Sequence, residues 1–236
     1  PLNCNQKFLY LDMKKLTLIL VAAIAADSLS SCGTAGHLAS GYDTEEMRNV
    51  MLFEPVSKIE TIGKGNISVT NDTACLASQE LLLQTLMTYD TGMNISSTYT
   101  SGEDEEIRKG IEYLYAQYLN TGYGHDSMSF VVPESLDSII EKSGNRYGMA
   151  VYSYGFSRTG GNYAAEIAKG VGLAILTLGT VYTVPYKDKS YIHVFIIDSE
   201  QNRVAWHNNI IGADYNPLKP KHIEKQIKRL FKPFKN

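Results

Sequence analysis

The stretch RYGMAVYSYGFS at Arg146–Ser157 decides the fold, because it is apolar on both of the faces that a β-strand presents. Successive side chains of a strand point to opposite sides of its sheet, and both sets here are mainly apolar or aromatic. A strand of this kind is covered on each side by other elements. The sequence therefore predicts that Tyr147–Tyr154 is a central strand of a sheet with helices on both faces.

The chain after this strand predicts a β-hairpin and a closing helix. YIHVFIID at Tyr191–Asp198 and RVAWHN at Arg203–Asn208 are β-rich runs separated by the turn residues 199–202. Beyond them, Ile223, Ile227 and Leu230 recur at helical spacing with lysines between them. We expect the hairpin to join the sheet and the helix to close the domain.

The chain before the central strand predicts alternating strands and helices. The predicted strands are 54–60, 66–70, 95–100 and 129–132. The predicted helices lie at 75–89, with a cap at 71–73, at 101–120, starting with a capping box at Ser101, and at 133–144, with Pro133 at its first position. This order predicts an α/β fold, with a mixed β-sheet, helices on both faces, a C-terminal β-hairpin and a closing helix.

The N-terminal residues predict export across a membrane. Met13-Lys14-Lys15 is a positively charged start, and the apolar run Leu16–Ala26 is shorter than the roughly 20 residues that span a bilayer. These features are typical of a secretory signal peptide at 13–31. Residues 1–12 are interpreted as an upstream extension.

Leu29-Ser30-Ser31-Cys32 resembles the lipobox of bacterial lipoproteins. The resemblance implies that Cys32 carries the lipid, including palmitate, and becomes the mature N-terminus. Gly33, in the place where Asp favours retention in the inner membrane, implies the outer membrane and its periplasmic side. We expect residues 32–45 to form a lipidated tether and residues 46–236 to form a single α/β domain.

The body is similar to the curli-secretion lipoprotein family and to relatives that share the fold of the TolB N-terminal domain. The residues that carry the similarity are the strand Tyr147–Tyr154, the apolar stretch Gly170–Gly179, Ile196-Ile197-Asp198 and Val204-Ala205-Trp206. The usual turn glycine is replaced by Gln201-Asn202. The resemblance implies an accessory or assembly subunit of an envelope complex that binds protein partners or forms a homo-oligomer, and not an enzyme.

Each candidate for chemistry has a structural interpretation that the pattern favours. Cys75 lies among leucines of a predicted helix and is expected to be buried and inert. His193 and His207 lie on the two hairpin strands: a four-residue loop places them on opposite faces, whereas a three-residue loop pairs them and allows them to share a metal. Gly155–Gly161 is predicted to be a flexible loop, as is the segment that holds His125-Asp126.

We therefore expect no catalytic residue, no metal and no cofactor, and the net charge of −3 argues against nucleic acid as a partner. An envelope hydrolase or glycan-binding enzyme remains the alternative. Thr73 and Ser127 stand in Asp-Ser/Thr-apolar triplets that resemble sites glycosylated in some bacteria.

The run IAKGVGLAILTLGTVYTV at Ile167–Val184 contains a single charge and has no polar face. One hypothesis is a buried helix or strand packed on the sheet, since short apolar runs are ambiguous. The other is an exposed segment that inserts into the bilayer or into a partner on assembly.

Overall fold

The computed structural model describes residues 36–100, 104–121 and 130–235. Residues from Gly36 onward form one compact unit. The predicted upstream extension, signal peptide and Cys32 lie outside the described residues, as do Ser101, His125-Asp126, Ser127 and Ser129.

Four strands precede the first long helix, two helices follow one another before the central strand, and a hairpin and a helix end the described chain. The elements are β1 (His37–Leu38), β2 (Val50–Phe53), β3 (Val56–Ile62), β4 (Ser68–Thr70), α1 (Asp72–Thr88), β5 (Ile95–Tyr99), α2 (Glu105–Thr121), α3 (Glu134–Lys142), β6 (Tyr147–Arg158), α4 (Gly160–Leu176), β7 (Asp188–Asp198), β8 (Arg203–Ala213) and α5 (Pro220–Leu230). The predicted α/β class is confirmed. The predicted strand at 129–132 is reduced to a bridge between Val131 and Arg203.

The strands form one mixed sheet with β6 at its centre, as the sequence predicts. β6 pairs antiparallel with β7 along one side, and parallel with both β2 and β3 along the other. β7 pairs with β8, and β1 forms the edge beside β8. On the far side, β5 pairs with β2 and β4 pairs with β3.

Two apolar clusters cover the two faces of the sheet, and they explain the double-sided pattern of β6. Tyr147, Met149 and Val151 lie in the cluster that α1 and α5 cover. Ala150 and Tyr152 lie in the cluster that α2 and α3 cover. At roughly 25 cal/mol per Å² of buried apolar surface, these two layers supply the main driving force for folding.

Two strands, β1 and β2, have no counterpart among the strands predicted from the sequence. β2, with the sequence VMLF, is completely buried between β5 and β6, and its four residues are too few for a period to be read. β1 lies in the region predicted to be a tether. Ala39 and Tyr42 are buried, and a Cβ at Gly36 would meet the indole of Trp206 at 2.3 Å. The described part of the predicted tether is thus packed onto the edge of the sheet.

The segment Gly155–Gly161 is not the flexible loop that the sequence predicts. Its first residues continue β6, where a Cβ at Gly155 would lie 2.7 Å from the carbonyl oxygen of Lys189. Thr159 then caps α4 by accepting a hydrogen bond from the backbone N–H of Asn162. The glycines permit a close approach between strands and begin a helix.

Candidate functional site

An exposed apolar hairpin connects β6 to β7 and projects from one end of the sheet. It consists of α4 and the residues 177–187 that return from it, and we call it the α4 hairpin. Its base is polar: Asn162 donates to the carbonyl oxygen of Gly63 at 2.8 Å and accepts from the guanidinium of Arg158 at 2.7 Å. These contacts fix the direction in which α4 leaves the sheet.

The returning chain packs closely against α4. A Cβ at Gly170 would lie 2.3 Å from the carbonyl oxygen of Thr183, so a residue without a side chain is required for this contact. At the tip, Leu178 and Gly179 both have positive φ, and the hydroxyl of Thr177 accepts a hydrogen bond from the backbone N–H of Val181. Leu178 is therefore held in a backbone conformation that few residues other than glycine adopt.

The apolar side chains of the α4 hairpin face solvent. The exposed fraction reaches 70% for Ile175, 83% for Leu176 and 94% for Leu178, and the other exposed members are Val171, Leu173, Val181, Tyr182, Val184 and Tyr186. The charges of Glu166 and Lys169 pair with each other near the base. The hypothesis that Ile167–Val184 is buried is therefore wrong for this chain, and contiguous apolar exposure of this kind usually marks an interaction site.

A second candidate site is a row of histidines across three neighbouring strands. His37 pairs with His207 in the β1–β8 ladder, and the His193 ring lies 6.1 Å from the His207 ring with nearly parallel planes. Both registers considered for the hairpin are wrong, because a bulge near Ile196–Ile197 pairs His193 with Asn209 and His207 with Phe195. The bulge brings the two rings to the same face of the sheet.

Among the described residues, the row belongs to no group of three or more His, Cys, Asp or Glu side chains that could hold a metal ion. Burial lowers the pKa of His193 to about 3, and it also lowers that of His207 to about 3. Both rings are therefore neutral at neutral pH.

A cavity of about 180 Å³ opens beside His193, between the end of α2 and the sheet. Its lining is largely aromatic: Tyr115, Tyr118, Leu119, Tyr154, Tyr191, His193, Asn209 and Ile211. The Tyr115 ring stacks on Tyr152 with centroids 4.1 Å apart, and Asn209 donates to the Tyr118 hydroxyl at 3.2 Å. We call this space the Tyr–His cavity. The sequence alone gave no signal for it, since it depends on the bulge.

Larger grooves of about 320 and 480 Å³ lie between α1 and α2 at the open edge of β3. Along α2, which borders both grooves, Arg108 contacts Glu105 at 2.6 Å and Glu112 at 2.9 Å. Cys75 lies here half-buried and not fully buried as predicted, with its sulfur accepting from the backbone N–H of Ile59. Thr73 is exposed in the first turn of α1.

No family model matches the sequence, and no curated protein is significantly similar to it. Among solved structures, a PelC variant dodecamer from Paraburkholderia phytofirmans matches 86% of this chain and 99% of its own, with 10% identity and a TM-score of 0.37. The LpoB C-terminal domain from Salmonella enterica matches 74% and 87%, with 11% identity and a TM-score of 0.27. Because both TM-scores are below 0.5, neither likeness indicates a function for this chain. No helix among the described residues is long and apolar enough to cross a membrane.

Proposed function

We propose that this protein is an outer-membrane lipoprotein that faces the periplasm and acts as an assembly subunit of an envelope complex through protein–protein binding. The observation that carries the proposal is the exposed apolar surface of the α4 hairpin, which no other described residue covers. The lipobox at Cys32 supplies the anchor.

A lipid anchor favours partners that are held at the same membrane, and a second anchored copy is always among them. Two copies tethered to one surface meet at a raised effective concentration, so an interface of modest size is sufficient. The hairpin offers what such an interface needs: aliphatic side chains, and the aromatic rings of Tyr182 and Tyr186.

Site-specific photo-crosslinking in intact cells tests the docking surface. A photoreactive residue at Leu178 is expected to give one discrete adduct, identified by mass spectrometry as a second copy or a defined envelope protein. The same residue at Met87, which is 59% exposed on α1, is the matched control and should give none. Adducts only to lipid at Leu178, or equal adducts at both positions, would contradict the assembly role.

Mass spectrometry of the mature N-terminus tests the anchor separately. We expect a chain that begins at an acylated Cys32, and a Cys32→Ala variant that leaves the membrane fraction. A mature chain that begins elsewhere would refute the lipoprotein assignment and leave the docking surface to be judged by its own experiment.

A further inference from the structure

The Tyr–His cavity combines ring faces with a buried polar end. His193 is only 4% exposed and is the one imidazole in the described lining. Tyr154 and Tyr191 lie beside it on the same face of the sheet, with ring centroids 5.8 Å apart.

The surroundings of the cavity restrict the charge of what it holds. Its described lining contains no acid and no Lys or Arg. A charge of each sign lies beside it: the Lys189 ammonium sits 4.8 Å from the centre of the Tyr191 ring, and the Glu60 carboxylate accepts a hydrogen bond from the Tyr154 hydroxyl at 3.1 Å. Neither sign of ligand charge is therefore favoured there. A neutral ligand fits this environment best.

The size and the buried imidazole restrict the ligand further. The volume of about 180 Å³ is below the roughly 300 Å³ at which pockets for drug-sized molecules begin, so it admits one ring. A neutral imidazole has one donor and one acceptor nitrogen, and a hydroxyl can pair with either. A proline ring of a peptide offers no donor, whereas a sugar ring offers apolar C–H faces for tyrosine and hydroxyls at its edge.

We propose that the Tyr–His cavity binds one neutral pyranose ring, with a ring face against Tyr191 and an edge hydroxyl on His193. The ring is a free sugar or the end of an envelope glycan. Ile211 and Leu119, each about half exposed, form an apolar rim through which it enters. This site is independent of the α4 hairpin and of the anchor.

Saturation-transfer NMR on the full chain tests the site, in a detergent without a sugar headgroup. The probes are the methyl glycosides of glucose, galactose and N-acetylglucosamine. At least one should bind with a Kd of about 1 mM, as expected for a single small ring. Tyr191→Ala should weaken it at least tenfold, whereas Tyr113→Ala, at a tyrosine 49% exposed on α2 and outside the cavity, should not change it.

His193→Phe keeps the ring and removes both nitrogens, and it should also weaken binding at least tenfold; Ile211→Ala at the rim supplies a second reading if that variant fails to fold. A trisaccharide that binds more tightly than its methyl glycoside identifies a glycan end, and equal binding identifies a free sugar. The proposal is overturned if none of the three glycosides shows saturable transfer, if Tyr191→Ala binds normally, or if a polyproline peptide competes for the cavity.

Discussion

The two ends of the sheet differ in how far the side chains there are buried and paired. At the β7–β8 turn, polar and charged groups are buried and paired with one another. At the opposite end, the α4 hairpin presents apolar side chains to solvent although its base is well bonded. One end is buried and paired, whereas the other has an apolar surface that no other described residue covers.

The completed end is organised around Asp198, which is fully buried. Arg146 donates to its carboxylate at 2.8 Å, and the Tyr42 hydroxyl donates at 2.8 Å. Arg203 in turn donates to Tyr42 at 3.0 Å, so the chain just after β1 is tied to the turn. Burial acts to raise the pKa of Asp198, but the hydrogen bonds from Arg146 and Tyr42 outweigh it and leave that pKa below its usual value.

The largest expected effect is a loss of folding stability in mild acid. It tests the sheet on which both ends depend. His193 and His207, with pKa values lowered to about 3 by burial, bind protons in the unfolded chain below pH 6.5 but not in the folded one. Their stabilisation is therefore complete above pH 6.5 and falls as the pH drops toward 3. Between pH 7 and 5 the two together should cost about 4 kcal/mol.

Urea unfolding at pH 7 and pH 5 measures this loss. A His193→Gln, His207→Phe double variant should lose at least half of the pH dependence, while His222→Gln, at a histidine in α5 outside the row, should keep it. An unchanged slope in the double variant would mean that the buried pair does not set the acid response.

The next effect separates the two ends. Arg146→Met leaves the buried carboxylate of Asp198 without its charged partner, and the free energy of unfolding should fall by about 3 kcal/mol. Glu200 also pairs with Arg146, but the Glu200 side chain is 65% exposed. Glu200→Gln should therefore change the free energy of unfolding by less than about 0.5 kcal/mol. Denaturant titration compares the two variants. Equal effects would show that the turn end does not depend on the buried pair.

The elements that could be predicted from the sequence are those with a hydrophobic pattern within the element itself. Helix α2 followed from its apolar stripe, and β6 followed from apolarity on both faces. The bulge that aligns His193 with His207 could not be found, because one extra residue in a ladder leaves no periodic signal. The exposure of Ile175 could not be found either, since an apolar run reads the same whether the chain covers it or not.

A smaller effect, of opposite sign at two neighbouring glycines, tests how the α4 hairpin is held together. Gly170→Ala places a Cβ 2.3 Å from the Thr183 carbonyl oxygen and should destabilise the hairpin by about 1–3 kcal/mol. Gly172→Ala meets no atom within 4 Å and should stabilise α4 by up to about 1 kcal/mol. Hydrogen exchange of residues 181–186 is the measurement. Faster exchange in both variants, or in neither, would contradict the packing described.

The variant with the smallest expected effect on stability gives the sharpest test of the difference between the two ends of the sheet. Replacing Ile175, Leu176 and Leu178 together by serine should change the free energy of unfolding by less than about 0.5 kcal/mol for each, because the side chains are 70–94% exposed. If another molecule covers the hairpin end, a photoreactive residue in the place of Tyr182 should give a crosslinked adduct in the unchanged chain. The same photoreactive residue should give no adduct in the triple variant. Leu76→Ser with Met87→Ser, on equally exposed parts of α1, is the control and should assemble normally. A triple variant that assembles as the unchanged chain does would show that the exposed surface is not the interface, while one that unfolds would show that the surface is buried in the single chain.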